Sequence, residues 1–344
     1  MLYVTTRNSA DAYTAQRILT IRRGPDGGLF LPYRIPQFTR QEIADLGSRN
    51  FNSNLAETMN LLFGSRLTSY DIDLAIGRSC VRLQQLGQKL IMGECWHNTD
   101  WQFSRMVGDL SAMVLTEKNA VPEVNGWALT GVRIAVLFGI FGELIREGLA
   151  GPEKTVDIAV VSGDFSAPMS AWYGRAMGLP IGNIICCGNE NTALWDFICH
   201  GTLRTDGVAV STVVPEADVV IPEGLERLIS LYGGPAEVER YVDTMHRGAT
   251  YYAEDGFLAR LRQGIYVTVS SAERILATIP SAYATHRYLL GPSGALAYAG
   301  LQDYRARTGE MRTALILTEK SPAKDSGTVA AAMGVSADSI KEYM

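Results

Sequence analysis

Apolar residues recur along this chain with two different periods, and each change of period coincides with a turn. Leu55, Met59, Leu62 and Phe63 stand at helical spacing, and Ile72, Ala75 and Ile76 begin a second helical face after Ser69. On this pattern residues 40–90 read as helices. Phe103, Met106, Val107, Leu110, Met113 and Val114 mark one side of a helix over 103–116, and 127–147 is a strongly apolar helix. Residues 1–34 mix short strand-like and helical pieces around the glycine turn of GPDGGLFLPY. Val156 to Val161 is a buried-strand pattern. It runs into Ser162-Gly163-Asp164-Phe165-Ser166, then into a helix ended by Gly178, then into a second strand from Ile181 to Cys187. Strand, glycine turn, helix, strand is a βαβ unit and implies a parallel sheet. Thr313 to Leu317 is a further strand, and 326–334 is a last helix. The class is α/β.

The length of 344 residues suggests two domains, or one large domain with a satellite. Apolar residues make up 47% and charged ones 19%, which is enough for a core and argues against global disorder. Lys and Arg number 31 against 36 Asp and Glu, for a net charge of −5. That balance excludes a protein that works mainly by coating nucleic acid or an anionic membrane, although local basic pockets stay open. Cys80, Cys95, Cys186, Cys187 and Cys199 are odd in number and include no CxxC, so reduced thiols are expected rather than a disulfide framework or zinc ribbon. MLYVTTRNSADAYTAQR has no hydrophobic signal core. The uninterrupted apolar stretch Ile134 to Gly142, preceded by Arg133, falls short of the roughly 20 residues that span a bilayer. These features predict a soluble cytoplasmic protein.

Three places carry candidate chemistry. A strand that opens through a glycine turn onto a helix N-terminus presents free N–H groups to an anion, so Ser162 to Ser166 is a candidate phosphate site. Against this, Asp164 puts a negative charge where the phosphate would sit unless it points away or caps the helix. Many such turns bind nothing. His97 is flanked by Trp96, Asn98, Asp100 and Trp101, which suits either a pocket lining or a helix-entry loop capped by Asp100 or Thr99. Cys199-His200 has no second ligand pair at zinc spacing, so a packed thiol beside a helix-end histidine is the better reading, and no metal site is expected.

The residues also resemble a family. RGPDGGLFLPYRIPQFTRQEI is similar to the opening of threonine synthases. The segment from Val160 to Gly201 resembles the family's stretch around P-S-G-N-F-G-N, followed by an A-x-x-M-G-L-P-I helix end and an N-E-N-like turn at Asn189. Gly291 to Tyr298 resembles P-H-x-A-V-A-Y, and Leu317 to Lys324 resembles T-A-H-P-A-K. The resemblance implies the second fold type of enzymes that use pyridoxal phosphate (PLP), a tryptophan synthase β-like large domain. It also implies chemistry that converts phosphohomoserine to threonine through a lysine imine.

Set against the family pattern H-G-P-T-x-A-F-K-D, the stretch His97 to Arg105 keeps His97 and Phe103 but has Ser104 at the lysine position. The phosphate loop keeps Gly163 and Phe165 and loses a glycine and both asparagines. Thr318 stands where a hydroxyl to the pyridine nitrogen is expected. The family's histidines fall on Ser293 and on Ser321 or Lys320. Only Thr116 to Gly126 occupies the place of the small lid domain, and S-G-D-T-G occurs nowhere. The expectation is therefore an N-terminal α/β and helical segment over 1–90 and a threonine-synthase-like large domain over 91–344, with the small domain largely deleted.

Its expected function is that of a divergent relative repurposed to act on or bind a small amino-acid-like or phosphorylated metabolite, in specialised metabolism. PLP is absent or held only noncovalently, and any chemistry is of lyase or transferase type. The alternative is a non-catalytic pseudoenzyme serving as a binding or oligomeric partner. His97, Ser104, Arg105 and Asp100 are the candidate catalytic residues. Trp101, Gln102, Ser162, Gly163, Asp164, Phe165, Ser166, Asn189, Thr318 and Lys320 are the candidate ligand contacts. A homo-oligomer with no nucleic-acid or membrane partner is expected.

Overall fold

The computed structural model describes residues 1–344 except Ser79, Trp101 and Lys118. Strands β1 (Leu2–Thr5), β2 (Tyr13–Thr14) and, after the short helix α1 (Ala15–Ile18), β3 (Phe30–Pro32) form a small antiparallel sheet in the order β2-β1-β3. Helices α2 (Arg40–Asp45), α3 (Phe51–Phe63) and α4 (Ser69–Ile76) follow. Thr39 and Thr68 close capping boxes with Glu42 and Asp71, which explains why α2 and α4 start where they do.

Strands β4 (Arg82–Gln85) and β5 (Leu90–Glu94) lie within or next to the stretch read as helical. That reading is corrected here. The turn residues 86–89 separate β4 from β5, and each strand is only four or five residues long, too short to display a period. Helices α5 (Phe103–Val114) and α6 (Trp127–Arg146) come next, joined by 115–126 without a helix or strand among its described residues. The predicted βαβ unit is β6 (Val156–Val161), α7 (Ser166–Ala176) and β7 (Ile181–Gly188).

Beyond it, α8 (Ala193–His200), β8 (Thr202–Leu203), α9 (Leu225–His246), β9 (Tyr251–Tyr252) and α10 (Asp255–Leu261) make an excursion from the sheet. Gly234, at φ 75°, breaks α9 just before Pro235. The chain returns through β10 (Ile265–Val269), α11 (Ala272–His286), α12 (Pro292–Thr308), β11 (Ala314–Thr318) and α13 (Ser326–Met333).

The main sheet runs β10-β7-β6-β11-β5-β4, parallel except for the edge strand β4. Period-2 alternation sends its side chains to two cores. Ile158, Val160, Ile184, Cys186, Leu315 and Leu317 face the larger core, built with α3 and α5 to α8. Met92, Ala159, Ile185, Cys187 and Ile316 face the core under α11, α12 and α13. Helix α6 has the length and apolar composition to cross a membrane, but 83% of its apolar window is buried inside the fold, where it is the central helix.

Candidate functional site

Open α/β sheets bind ligands outside the carboxyl ends of their strands. Two cavities lie there. The first, of about 370 Å³, opens beyond the ends of β6 and β11, with Phe103 and Ser104 of α5 on one wall. Its floor is an ionic chain. Arg133, buried in α6, donates through Nε to Glu319 Oε1 (2.5 Å), through Nη2 to Glu319 Oε2 (2.9 Å) and through Nη1 to Ser166 Oγ (3.1 Å). Its guanidinium also lies over the Phe103 ring, 5.3 Å from the centroid. Burial pulls Arg133 down, but Glu319 outweighs it and holds the guanidinium above its usual range, so the charge persists.

The glycine turn sits at the edge of this floor. Gly163 has φ 42°, and a Cβ there would meet the Glu216 carbonyl oxygen at 2.8 Å, so glycine is required twice over. Phe165 is left-handed at φ 70° and fully buried, so its ring anchors the turn in the core. Asp164 Oδ1 accepts from Ser166 N (2.9 Å) and Ser166 Oγ (2.6 Å). Asp164 does not point away, nor is it the cap, which is Phe165 with no side-chain bond: it takes the first N–H of α7 and sets its carboxylate beside the helix N-terminus that an anion would otherwise approach. Across the cavity, Glu216 Oε1 accepts from Ser293 Oγ (3.1 Å) and Lys320 Nζ (3.4 Å), and Lys320 also pairs with Asp325 at 2.7 Å. Burial pulls Lys320 down, but Asp325 and Glu216 outweigh it and raise its pKa, keeping an ammonium.

The second cavity, of about 620 Å³, opens beyond the end of β5. Glu94 accepts there from Tyr288 Oη (2.6 Å) and lies 2.6 Å from His97 Nε2, whose ring stacks on Trp96 at 4.0 Å.

The predicted residues divide between these places. Ser104, Gly163, Asp164, Ser166 and Lys320 line the first cavity. His97 and Asp100 line the second. His97 and Ser104, both candidate catalytic residues, do not line one cavity; left-handed residues at Asn98 (φ 58°) and Asp100 (φ 51°) turn the chain between them. Neither Asp100 nor Thr99 caps α5, whose N-cap is Gln102 with no side-chain bond. Arg105 is exposed on α5 and pairs with Asp109 at 2.9 Å, and Gln102 is exposed in a bridge to Lys320.

Ser162 is buried, and its backbone N–H donates to Cys187 O. Asn189 is buried and donates to Thr212 (2.8 Å) and Asp218 (2.7 Å), organising the loop before α9. Thr318 turns away from the first cavity, donating to Gly93 O (3.2 Å) and accepting from Trp96 Nε1 (3.3 Å). Strand alternation explains this, because Leu317 and Glu319 take the cavity side. Trp101 lies outside the described residues. Arg133, Glu319 and Glu216 were missed as site residues. An arginine inside an apolar helix was the available signal for the first, since a buried charge demands a partner. Among the described residues no group of side chains is arranged to hold a metal ion.

A family model described as "Threonine synthase N terminus" matches residues 2–80. Threonine synthase-like 1 of Pongo abelii is 30% identical over 162 residues, covering 45% of this chain and 21% of that protein. The chain thus matches about a fifth of that relative's length. The threonine synthase of Pseudomonas aeruginosa is 21% identical over 399 residues, covering 89% of this chain and 85% of that one. The PLP-bound threonine synthase from Brucella melitensis superposes with a TM-score of 0.84 at 19% identity, over 97% of this chain and 92% of that one. Residues 2–80 thus match the N-terminal model of the threonine synthases, and the chain as a whole shares the fold of their solved structures.

Proposed function

We propose that this chain is a threonine synthase-like protein that binds a small amino-acid-like metabolite without covalent PLP, in the cavity beside Ser104. The observation that carries this reading is the Asp164 carboxylate seated on the N-terminus of α7. A cofactor phosphate needs the N–H groups of that helix end, and the negative side chain, which already takes the one of Ser166, repels it. The residues present therefore do not fit PLP. A serine hydroxyl at position 104 forms no imine, and Lys320, held as an ammonium by two carboxylates, is a poor nucleophile in its place.

The same charges select the ligand class. Asp164, Glu216 and Glu319 stand against Arg133 and Lys320, which leaves −1 on the lining. Each nitrogen of Arg133 already donates to Glu319 or Ser166, whereas one oxygen each of Asp164 and Glu216 makes no hydrogen bond to another described residue. An ammonium group meets these oxygens favourably and a phosphate does not, so of the two expected metabolite classes the amino-acid-like one is retained.

The test is calorimetric titration of the protein with a panel of amino acids and their deaminated analogues, alongside absorbance with added PLP, borohydride reduction and mass spectrometry. Saturable binding of an amine, lost with its deaminated analogue and with no lysine adduct, supports the reading. A violet imine band and a reduced adduct overturn it and return the chain to PLP chemistry. A second reading, a non-catalytic binding protein, is favoured by one observation: the candidate catalytic residues His97 and Ser104 open onto different cavities. Isotope exchange into the bound ligand distinguishes turnover from binding alone.

A further inference from the structure

The Glu94–His97–Tyr288 cluster is not used by the site beside Ser104, and it is built more tightly than a loop contact needs. Glu94 ends β5 with its side chain 9% exposed, and His97 is 13% exposed. Both Glu94 oxygens are engaged, one by Tyr288 and one by His97 Nε2. Burial and the Glu94 charge raise the Tyr288 pKa well above its ordinary value, so its hydroxyl keeps the proton and donates. The carboxylate is then the acceptor for both neighbours, and in the neutral imidazole it selects the tautomer in which Nε2 carries the hydrogen and Nδ1 carries a lone pair. No hydrogen bond from a described residue reaches Nδ1.

The walls supply the opposite charge. Arg82 on β4 is the direct cross-strand partner of Glu94, so the two side chains share one face of the sheet. Arg82 and Arg287 both line the cavity and are exposed, with no carboxylate of a described residue within ion-pair distance. Asp100, also on the wall, is engaged by Lys324 at 3.6 Å. The cavity thus offers two guanidinium groups that no carboxylate of a described residue pairs, the Arg287 one lying over the Tyr283 ring at 5.7 Å, and one imidazole acceptor oriented by a buried carboxylate.

We propose that this second cavity binds a small hydroxycarboxylate, with its carboxylate between Arg82 and Arg287 and its hydroxyl donating to His97 Nδ1. The site is independent of the cavity beside Ser104, and its success or failure leaves that reading untouched.

The experiment is a nuclear magnetic resonance titration of the full chain labelled at its four histidines, with the His97 signals assigned by His97→Gln. Glycolate is the probe, and acetate, which lacks the hydroxyl, is the control. The expected result is a saturable shift of the His97 ring signals by glycolate. Acetate should bind about tenfold more weakly, as one lost hydrogen bond to a ring acceptor predicts. Arg82→Gln combined with Arg287→Asn should weaken glycolate at least tenfold. Both side chains are exposed, and asparagine tolerates the left-handed backbone at 287 (φ 54°), so this variant tests the site without testing the fold. No shift, an equal response to acetate, or full binding by the double variant each overturns the proposal.

Discussion

Arg133 is a full charge inside an apolar helix, and its stability depends on one carboxylate 186 positions away in the chain. Glu319→Gln keeps the shape but removes the compensating charge, so urea unfolding should show a loss of about 3 kcal/mol, the usual cost of stranding a buried ion. Asp164 exerts its effect at the same scale in the opposite sense. Asp164→Asn keeps an oxygen to accept from Ser166 but removes the charge from the helix N-terminus. Affinity for inorganic phosphate, read by calorimetry, should rise about tenfold if that charge is what excludes anions. The cysteines divide by burial. Cys80, Cys95, Cys186 and Cys187 are buried and their thiols are pushed up by desolvation, whereas Cys199 is exposed. A disulfide reagent at pH 8 should therefore titrate one thiol in the folded protein and five after denaturation.

At the scale of elements, α3 and α6 approach closely because α6 turns glycines toward α3. A Cβ on Gly131 would fall 2.5 Å from Phe63, one on Gly139 would fall 2.6 Å from Phe51, and one on Gly142 would fall 2.1 Å from Asn54 Nδ2 and 3.0 Å from the Leu46 carbonyl oxygen. Asn54 Nδ2 is itself tied to Leu46 O at 3.0 Å, so it has little room to retreat. Gly142→Ala should cost about 2 kcal/mol by denaturant unfolding despite its better helix propensity, because overpacking a well-filled contact outweighs the propensity gain.

Periodicity revealed α3, α5 and α6 and the βαβ unit, since each is long enough to display its apolar repeat or carries a glycine at its turn. It did not reveal β4 or β5, where Arg82–Gln85 is a polar edge strand with no apolar face to announce it. The site was legible where chemistry follows register. Ser104, Gly163, Asp164, Ser166 and Lys320 lie on the two loops and the helix end that surround one cavity. Glu319, Glu216 and Tyr288 were not legible, because their partners come from other elements and only the folded topology brings them together. The same cause separated His97 from Ser104: seven positions in sequence say nothing of two left-handed residues between them.

Across the whole molecule, burial of acidic hydrogens gives stability a pH limit on the alkaline side. Cys80 and Cys187 are pushed up from 9.0 to about 12, and burial also raises Tyr3, Tyr173 and Tyr241. Their folded pKa values exceed the unfolded ones. The stability they contribute is therefore complete below pH 9 and drains as pH rises toward 12, because only the unfolded chain releases the protons. Each such group removes up to about 1.4 kcal/mol per pH unit within that window. The urea midpoint should fall steadily between pH 9 and 11, and a flat profile would contradict the burial of these groups.

The strand order has a consequence for biosynthesis. β11 lies between β6 and β5 at the middle of the main sheet, yet it is the last of the sheet's strands to leave the ribosome. Until it arrives, the nascent chain holds two unjoined half-sheets, β4 with β5 and β6 with β7 and β10, each exposing an unpaired edge that invites aggregation. A chain stopped before Ala314 would carry most of the protein's residues and still lack its keel, so chaperone dependence should end abruptly when that strand emerges.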